Sequence, residues 1–164
     1  METTSITLIL NAWYQQINQT TELFDSLNDE QLLRPIAPGR NSGKYLLGHM
    51  TAVHDGIMPI LGLGEKLYPE LEEAFVIQPY KSDEEPPSLS SLRNCWNEVN
   101  RRLNDEIAKI DAPEWLARHQ AVSHEDFLKA PHRCKLNVLL NRMNHLSYHM
   151  GQLILLKNSK TENT

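Results

Sequence analysis

Cysteine is scarce in this chain: Cys95 and Cys134 are the two among 164 residues. They make neither a disulfide framework nor a paired-cysteine zinc pattern. A basic block is also missing. Net charge is −5 with histidine neutral, which argues against a nucleic-acid surface. No apolar run approaches the length of a membrane span. The opening stretch METTSITLILNAWYQQ lacks the positive leader and small-residue cleavage site of a signal peptide. Internal repeats, low-complexity segments and a clear strand alternation are absent as well. These absences lead to the expectation of a soluble, reduced, cytoplasmic protein without membrane or nucleic-acid partners. Composition supports folding: 40% hydrophobic and 23% charged residues are ordinary globular values. The length suits one domain over 1–164, with 1–3 and 158–164 frayed.

Helical periodicity fills most of the chain. Residues 4–26 place Ile6, Leu10, Trp13, Ile17 and Phe24 at three- and four-residue intervals. Asn28 and Gln31 form a capping signature for a short helix, and Pro35, Pro38 and Gly39 then break the chain. A second long helix starts at Asn41 or Ser42 and runs to about Met58, where Pro59 should end or kink it. Its apolar face carries Tyr45, Leu46, Met50, Val53 and Ile57. The connection 62–87 is too rich in Gly and Pro for one helix, although LYPELEEAF can form a short one. A third helix from Ser88 to about Ile110 repeats Leu89, Leu92, Trp96, Val99, Leu103 and Ile107, a period suited to bundle packing. Its opposite face, with Arg93, Asn97, Asn100, Arg101 and Asn104, reads as solvated. Ser123 and Asp126 suggest a short capped helix, and the last long helix starts between His132 and Lys135. The expected fold is all-α: a four-helix bundle with long crossover connections after the second and third helices.

The chemistry concentrates in residues 135–157, KLNVLLNRMNHLSYHMGQLILLK. His145 and His149 are four apart, so they share one face about one helical turn from each other. By wheel arithmetic they flank the apolar arc. His49 lies inside the apolar face of the second helix and reaches the same groove if the two helices are neighbours. His54 sits roughly 140° round from His49. Three imidazoles leave open positions on an ion, which means catalysis or ligand binding rather than a structural site. Neutral imidazole suits zinc, nickel, iron or copper, and a bound ion lowers the pKa of water or thiol. The bland reading is that an isolated HxxxH pair arises by chance on a helix face. The metalloprotease signature HExxH is absent.

NSGKYLLGHM (41–50) and NHLSYHMGQL (144–153), together with helix order and lengths over nearly the whole chain, resemble the DinB-like superfamily of damage-inducible helical proteins. The resemblance implies a four-helix bundle with a long crossover and a divalent metal, nickel or zinc, on His49, His145 and His149. Gly151 and Gln152 match the continuation of the family's HxGQ motif. The family includes thiol S-transferases that use bacillithiol or a similar low-molecular-weight thiol, and mycothiol-dependent isomerases. It also includes many members without an assigned reaction. The implied chemistry is attack of a metal-activated water or thiol on an electrophile. The alternatives are a non-catalytic metal- or small-ligand-binding protein and a stress-related helical interaction protein. No pocket motif singles out a thiol cofactor.

The remaining candidates divide as follows. His54, His119, His124 and His132 read as surface or cap residues. Arg142, one turn before His145, could hold a substrate carboxylate or phosphate; its plain reading is a solvated arginine on the helix flank. Gln152 can orient a ligand imidazole. Cys95 reads as core, and Cys134 starts the last helix. Trp13 and Trp96 read as core, and Trp115 as exposed in a connection. A homodimer through helix faces is expected.

Overall fold

The computed structural model describes residues 2–77 and 87–157. In order, the elements are α1 Glu2–Ser26, α2 Asp29–Leu33, α3 Gly43–Asp55, α4 Ile57–Leu61, α5 Glu70–Glu72, α6 Leu89–Ile107, α7 Ala112–Trp115, α8 His124–Lys129 and α9 Lys135–Leu153. A π-helical turn, Glu73–Ile77, extends α5, and a 3-10 turn, Ile154–Leu156, follows α9. No strand occurs among the described residues, which carry only the isolated bridges Pro35–Ser42 and Arg118–Cys134. The all-α bundle is as the helical periods require. Met1, 78–86 and 158–164, including much of the long connection and the expected frayed C-terminal tail, lie outside the described residues. At the other end α1 is already helical from Glu2.

Local signals set most boundaries. Asn28 accepts from the Gln31 backbone N–H while the Gln31 side chain accepts from Asn28 N–H, a closed capping box. Ser42, Ser88 and Ser123 each accept from the N–H three residues on. One boundary departs from expectation. The second long helix ends at Asp55, not near Met58. Gly56 separates it from α4, and Pro59 sits in the first turn of that short helix, where its missing N–H breaks no intrahelical bond.

The long helices pack in the cyclic order α1, α9, α3, α6. Side-chain contacts give their directions. Arg93, early in α6, donates to the Phe24 and Leu27 carbonyls at the end of α1, while Asn104, late in α6, accepts from Trp13 Nε1. These two helices are therefore antiparallel. Gln16 meets Ser147, and Gln31 donates to the Leu156 carbonyl, so α1 and α9 run parallel. His49 meets His145 while Gly43 lies against Leu156, so α3 opposes α9. It follows that α3 and α6 run parallel. Consecutive parallel helices cannot be joined by a short turn, and this is why the chain needs the long crossover between them.

The interior corrects several expectations. His54 is fully buried, 0% exposed. The wheel angle placed it off the apolar face of α3, but α3 is covered on more than one side, by α6 as well as α9. His54 lies between Trp13 and Trp96, at ring-centroid distances of 5.3 and 5.1 Å. Its Nδ1–H donates to Asn100 Oδ1 at 2.7 Å, and Asn100 donates to the Trp96 carbonyl at 2.8 Å. Asn100, expected on a solvated face, is thus buried because it serves a buried histidine. Asp55 is also buried and accepts from the backbone N–H of Leu67 and Tyr68 at 2.8 Å each. It fastens the start of the crossover to the end of α3. Trp115 is 0% exposed rather than exposed. Trp13, Trp96 and Cys95 are buried as expected.

Gly48 is where the crossover presses closest on α3. A Cβ there would lie 2.5 Å from the Phe75 ring. Gly48→Ala should cost about 1–3 kcal/mol by overpacking, seen as a lowered urea midpoint; an unchanged midpoint would mean that the Phe75 turn is not seated on α3. His54 generates a second expectation. Burial, opposed by the Asn100 hydrogen bond and reinforced by the Arg142 charge, pushes its pKa down from 6.5 to about 4. The unfolded chain therefore takes up a proton near pH 6.5 that the folded chain refuses until about pH 4. Stability from this group is intact above pH 6.5 and falls as pH drops through that window, by about 3 kcal/mol at its lower end. Urea unfolding at pH 7 and pH 4 should show His54→Gln losing about that much less than wild type. Equal losses would contradict the assignment.

Candidate metal centre

The antiparallel contact of α3 and α9 brings His49, His145 and His149 together. One ring nitrogen of each lies within 4.8 Å of the others. The Nε2 atoms of His49 and His145 are 3.1 Å apart, and those of His149 and His145 are 3.0 Å apart. Two nitrogens about 2.0–2.1 Å from one ion stand about 3.3 Å apart at a tetrahedral angle and about 2.9 Å apart at a right angle. The observed separations match ligands on one face of a single ion. His49 and His145 are half-buried and His149 is 9% exposed.

Hydrogen bonds on the outer nitrogens decide what faces inward. His49 Nδ1 is 2.9 Å from the Phe75 carbonyl. A carbonyl only accepts, so Nδ1 carries the proton and Nε2 presents a lone pair. His149 Nδ1 is 2.8 Å from Gln152 Oε1, which fixes the same tautomer. Two lone pairs therefore converge on His145 Nε2, which has at most one proton to share between them. Such an arrangement is poorly satisfied by the protein alone and well satisfied by a cation. His145 Nδ1 is buried without a partner. Burial, then the neighbouring His149, His49 and Arg142, pushes His145 down to about 4. Burial also lowers His149, against the Gln152 hydrogen bond. Both stay neutral, the form that ligates metal.

The orienting partners have distinct origins. The Phe75 carbonyl belongs to the π-helical turn of the crossover, where the backbone departs from the α-helical hydrogen-bond ladder. It also accepts from the Tyr45 hydroxyl at 3.0 Å, and the Tyr45 ring stacks on His49 at 5.9 Å. The Phe75 carbonyl could not be found from residue type, since a carbonyl has no sequence signature. Gln152, by contrast, takes the position at His149 that its spacing gives it. Arg142 departs from its plain reading. It is half-buried, and its Nε is buried with no hydrogen-bond partner among the described residues. His124 and His132 are exposed, and His119 is half-buried. The structure does not bring these three into the group of ligand-competent residues.

Comparison with known proteins agrees with this architecture. The family model of the DinB superfamily matches residues 12–153. Among solved structures, the chain is similar to a DinB-like protein from Bacillus cereus ATCC 10987, at 21% identity with a TM-score of 0.65. That alignment covers 90% of this chain and 87% of the other. No curated protein matches. A family match across this span, with the bundle and its histidine group inside it, shows that the chain belongs to the DinB superfamily.

Proposed function

We propose that this protein is a divalent-metal-dependent enzyme that holds one ion on His49, His145 and His149 and activates a thiol or a water for attack on an electrophile. The observation that carries this reading is the convergence of three imidazole Nε2 atoms, with Nδ1 of His49 and His149 already committed outward. When bound, the ion supplies Lewis acidity, making a nucleophile available near neutral pH. Zinc and nickel suit a neutral imidazole set. The protein's own part is to fix the tautomers through Phe75 and Gln152 and to leave the remaining coordination positions to ligands that are not side chains. The transferred group would be a low-molecular-weight thiol, with hydrolysis by water as the related reaction.

The test has two stages. Zinc and nickel titrations of metal-free protein should give one site per chain. Gln152→Ala should weaken it about 10–100-fold, the usual effect of losing an outer hydrogen-bond partner, and His145→Ala should weaken it further still. Equal affinity in all three proteins would overturn the ligand assignment. The loaded protein is then assayed against panels of thiols and electrophiles. Metal-dependent thiol consumption, lost in His145→Ala, supports transfer, and electrophile loss without thiol consumption supports hydrolysis. A loaded protein inert to the whole panel would favour a binding role instead.

A further inference from the structure

A cavity of about 260 Å³ lies between α3, α4, α9 and the crossover, and its lining residues stand one helical turn from the histidines. Its position relative to the centre is fixed three times over. Val53 follows His49 by one turn on α3, Arg142 precedes His145 by one turn on α9, and Val76 adjoins Phe75, whose carbonyl holds His49. The walls are of two kinds. Val53, Ile60 and Val76 are apolar, whereas Lys66, Glu72 and Arg142 bring charge. Lys66 and Glu72 pair with each other, so their charges cancel locally.

Among the described residues Arg142 has no such partner. It makes no ion pair, and its Nε is buried without a hydrogen bond, among the described residues. A half-buried guanidinium without an acid is costly unless a ligand completes it. Arg93, also half-buried, is by contrast satisfied by two backbone carbonyls. From these features we infer that the cavity is a subsite for a small monocarboxylate with an apolar body, whose carboxylate is held by Arg142. One uncompensated cation matches one negative charge. With Lys66 and Glu72 paired to each other, a single cation leaves a dianion such as phosphate unmatched, and the apolar walls favour a hydrocarbon body over a sugar or a nucleotide. The inference deepens the proposed function by giving the substrate or thiol a carboxylate close to its reacting group. It rests on that reading only for the word substrate, because the subsite itself is present without metal.

Binding of benzoate, benzamide and inorganic phosphate to the metal-free full-length protein tests this, followed by NMR of the Val and Ile methyl groups. Benzoate should saturate, shifting Val53, Ile60 and Val76. Benzamide, equal in shape and neutral, should bind at least about tenfold more weakly, and phosphate should leave these methyls unmoved. Arg142→Gln should weaken benzoate about tenfold and leave benzamide unchanged. Arg142→Lys, which keeps the charge and loses the planar fork, should fall between them. Equal benzoate and benzamide affinity in wild type, a phosphate response as strong as that of benzoate, or no benzoate binding at all would overturn the subsite, and none of these depends on a variant folding. Benzoate binding that persists in a protein unable to bind zinc or nickel would reject the metal reading and leave the carboxylate subsite standing.

Discussion

Two imidazole lone pairs cannot converge on a third ring nitrogen in half-buried space and both be satisfied without something more positive than one shared proton. That constraint organises the centre of this protein. His49 and His149 are each turned by a hydrogen bond on Nδ1, to a backbone carbonyl and to an amide oxygen. The tautomers are therefore set before any ligand arrives. His145 receives both facing nitrogens at 3.0–3.1 Å, and burial holds it neutral. The result is an acceptor-rich group that could hold a cation.

The rest of the fold follows from keeping α3 and α9 antiparallel at that spot. Placing α3 parallel to α6 forces the chain into a long crossover. The crossover then becomes useful: its π-helical turn supplies the Phe75 carbonyl, and Asp55 ties its beginning to the end of α3. Gly48 lets the Phe75 ring sit against the helix that carries His49. A buried polar pair, His54 with Asn100, occupies the other side of α3 between two tryptophans. The same helix thus presents one histidine to the groove and another to the core.

Much of this was legible in the sequence, for definite reasons. Helix starts at Asn28, Ser42, Ser88 and Ser123 were visible because capping is local chemistry. His145 and His149 were visible because four-residue spacing fixes a shared helix face. His49 required a resemblance as well, since its meeting with α9 depends on tertiary packing. The burial of His54, Asn100 and Asp55 was not legible. A single apolar face was assumed for α3, whereas α3 is covered on more than one side, and each of these polar residues is buried against a specific partner. Trp115 differs for a similar reason: a residue in a connection reads as exposed, and its burial depends on how that connection packs. The Phe75 carbonyl lies beyond any sequence signal, and the burial of Arg142 depends on the neighbouring elements rather than on its place in α9.

The central claim is that hydrogen bonds on Nδ1 preset His49 and His149 to turn Nε2 lone pairs toward His145 Nε2, and that the three nitrogens hold one ion. The most direct measurement is long-range ¹H–¹⁵N NMR of the histidine rings, before and after one equivalent of zinc. The account predicts that His49 and His149 carry their proton on Nδ1 in the metal-free protein, and that zinc shifts Nε2 of His49, His145 and His149 together while His54 stays put. Protons on Nε2 of His49 or His149 before zinc, or a zinc response limited to the pair on α9, would contradict it.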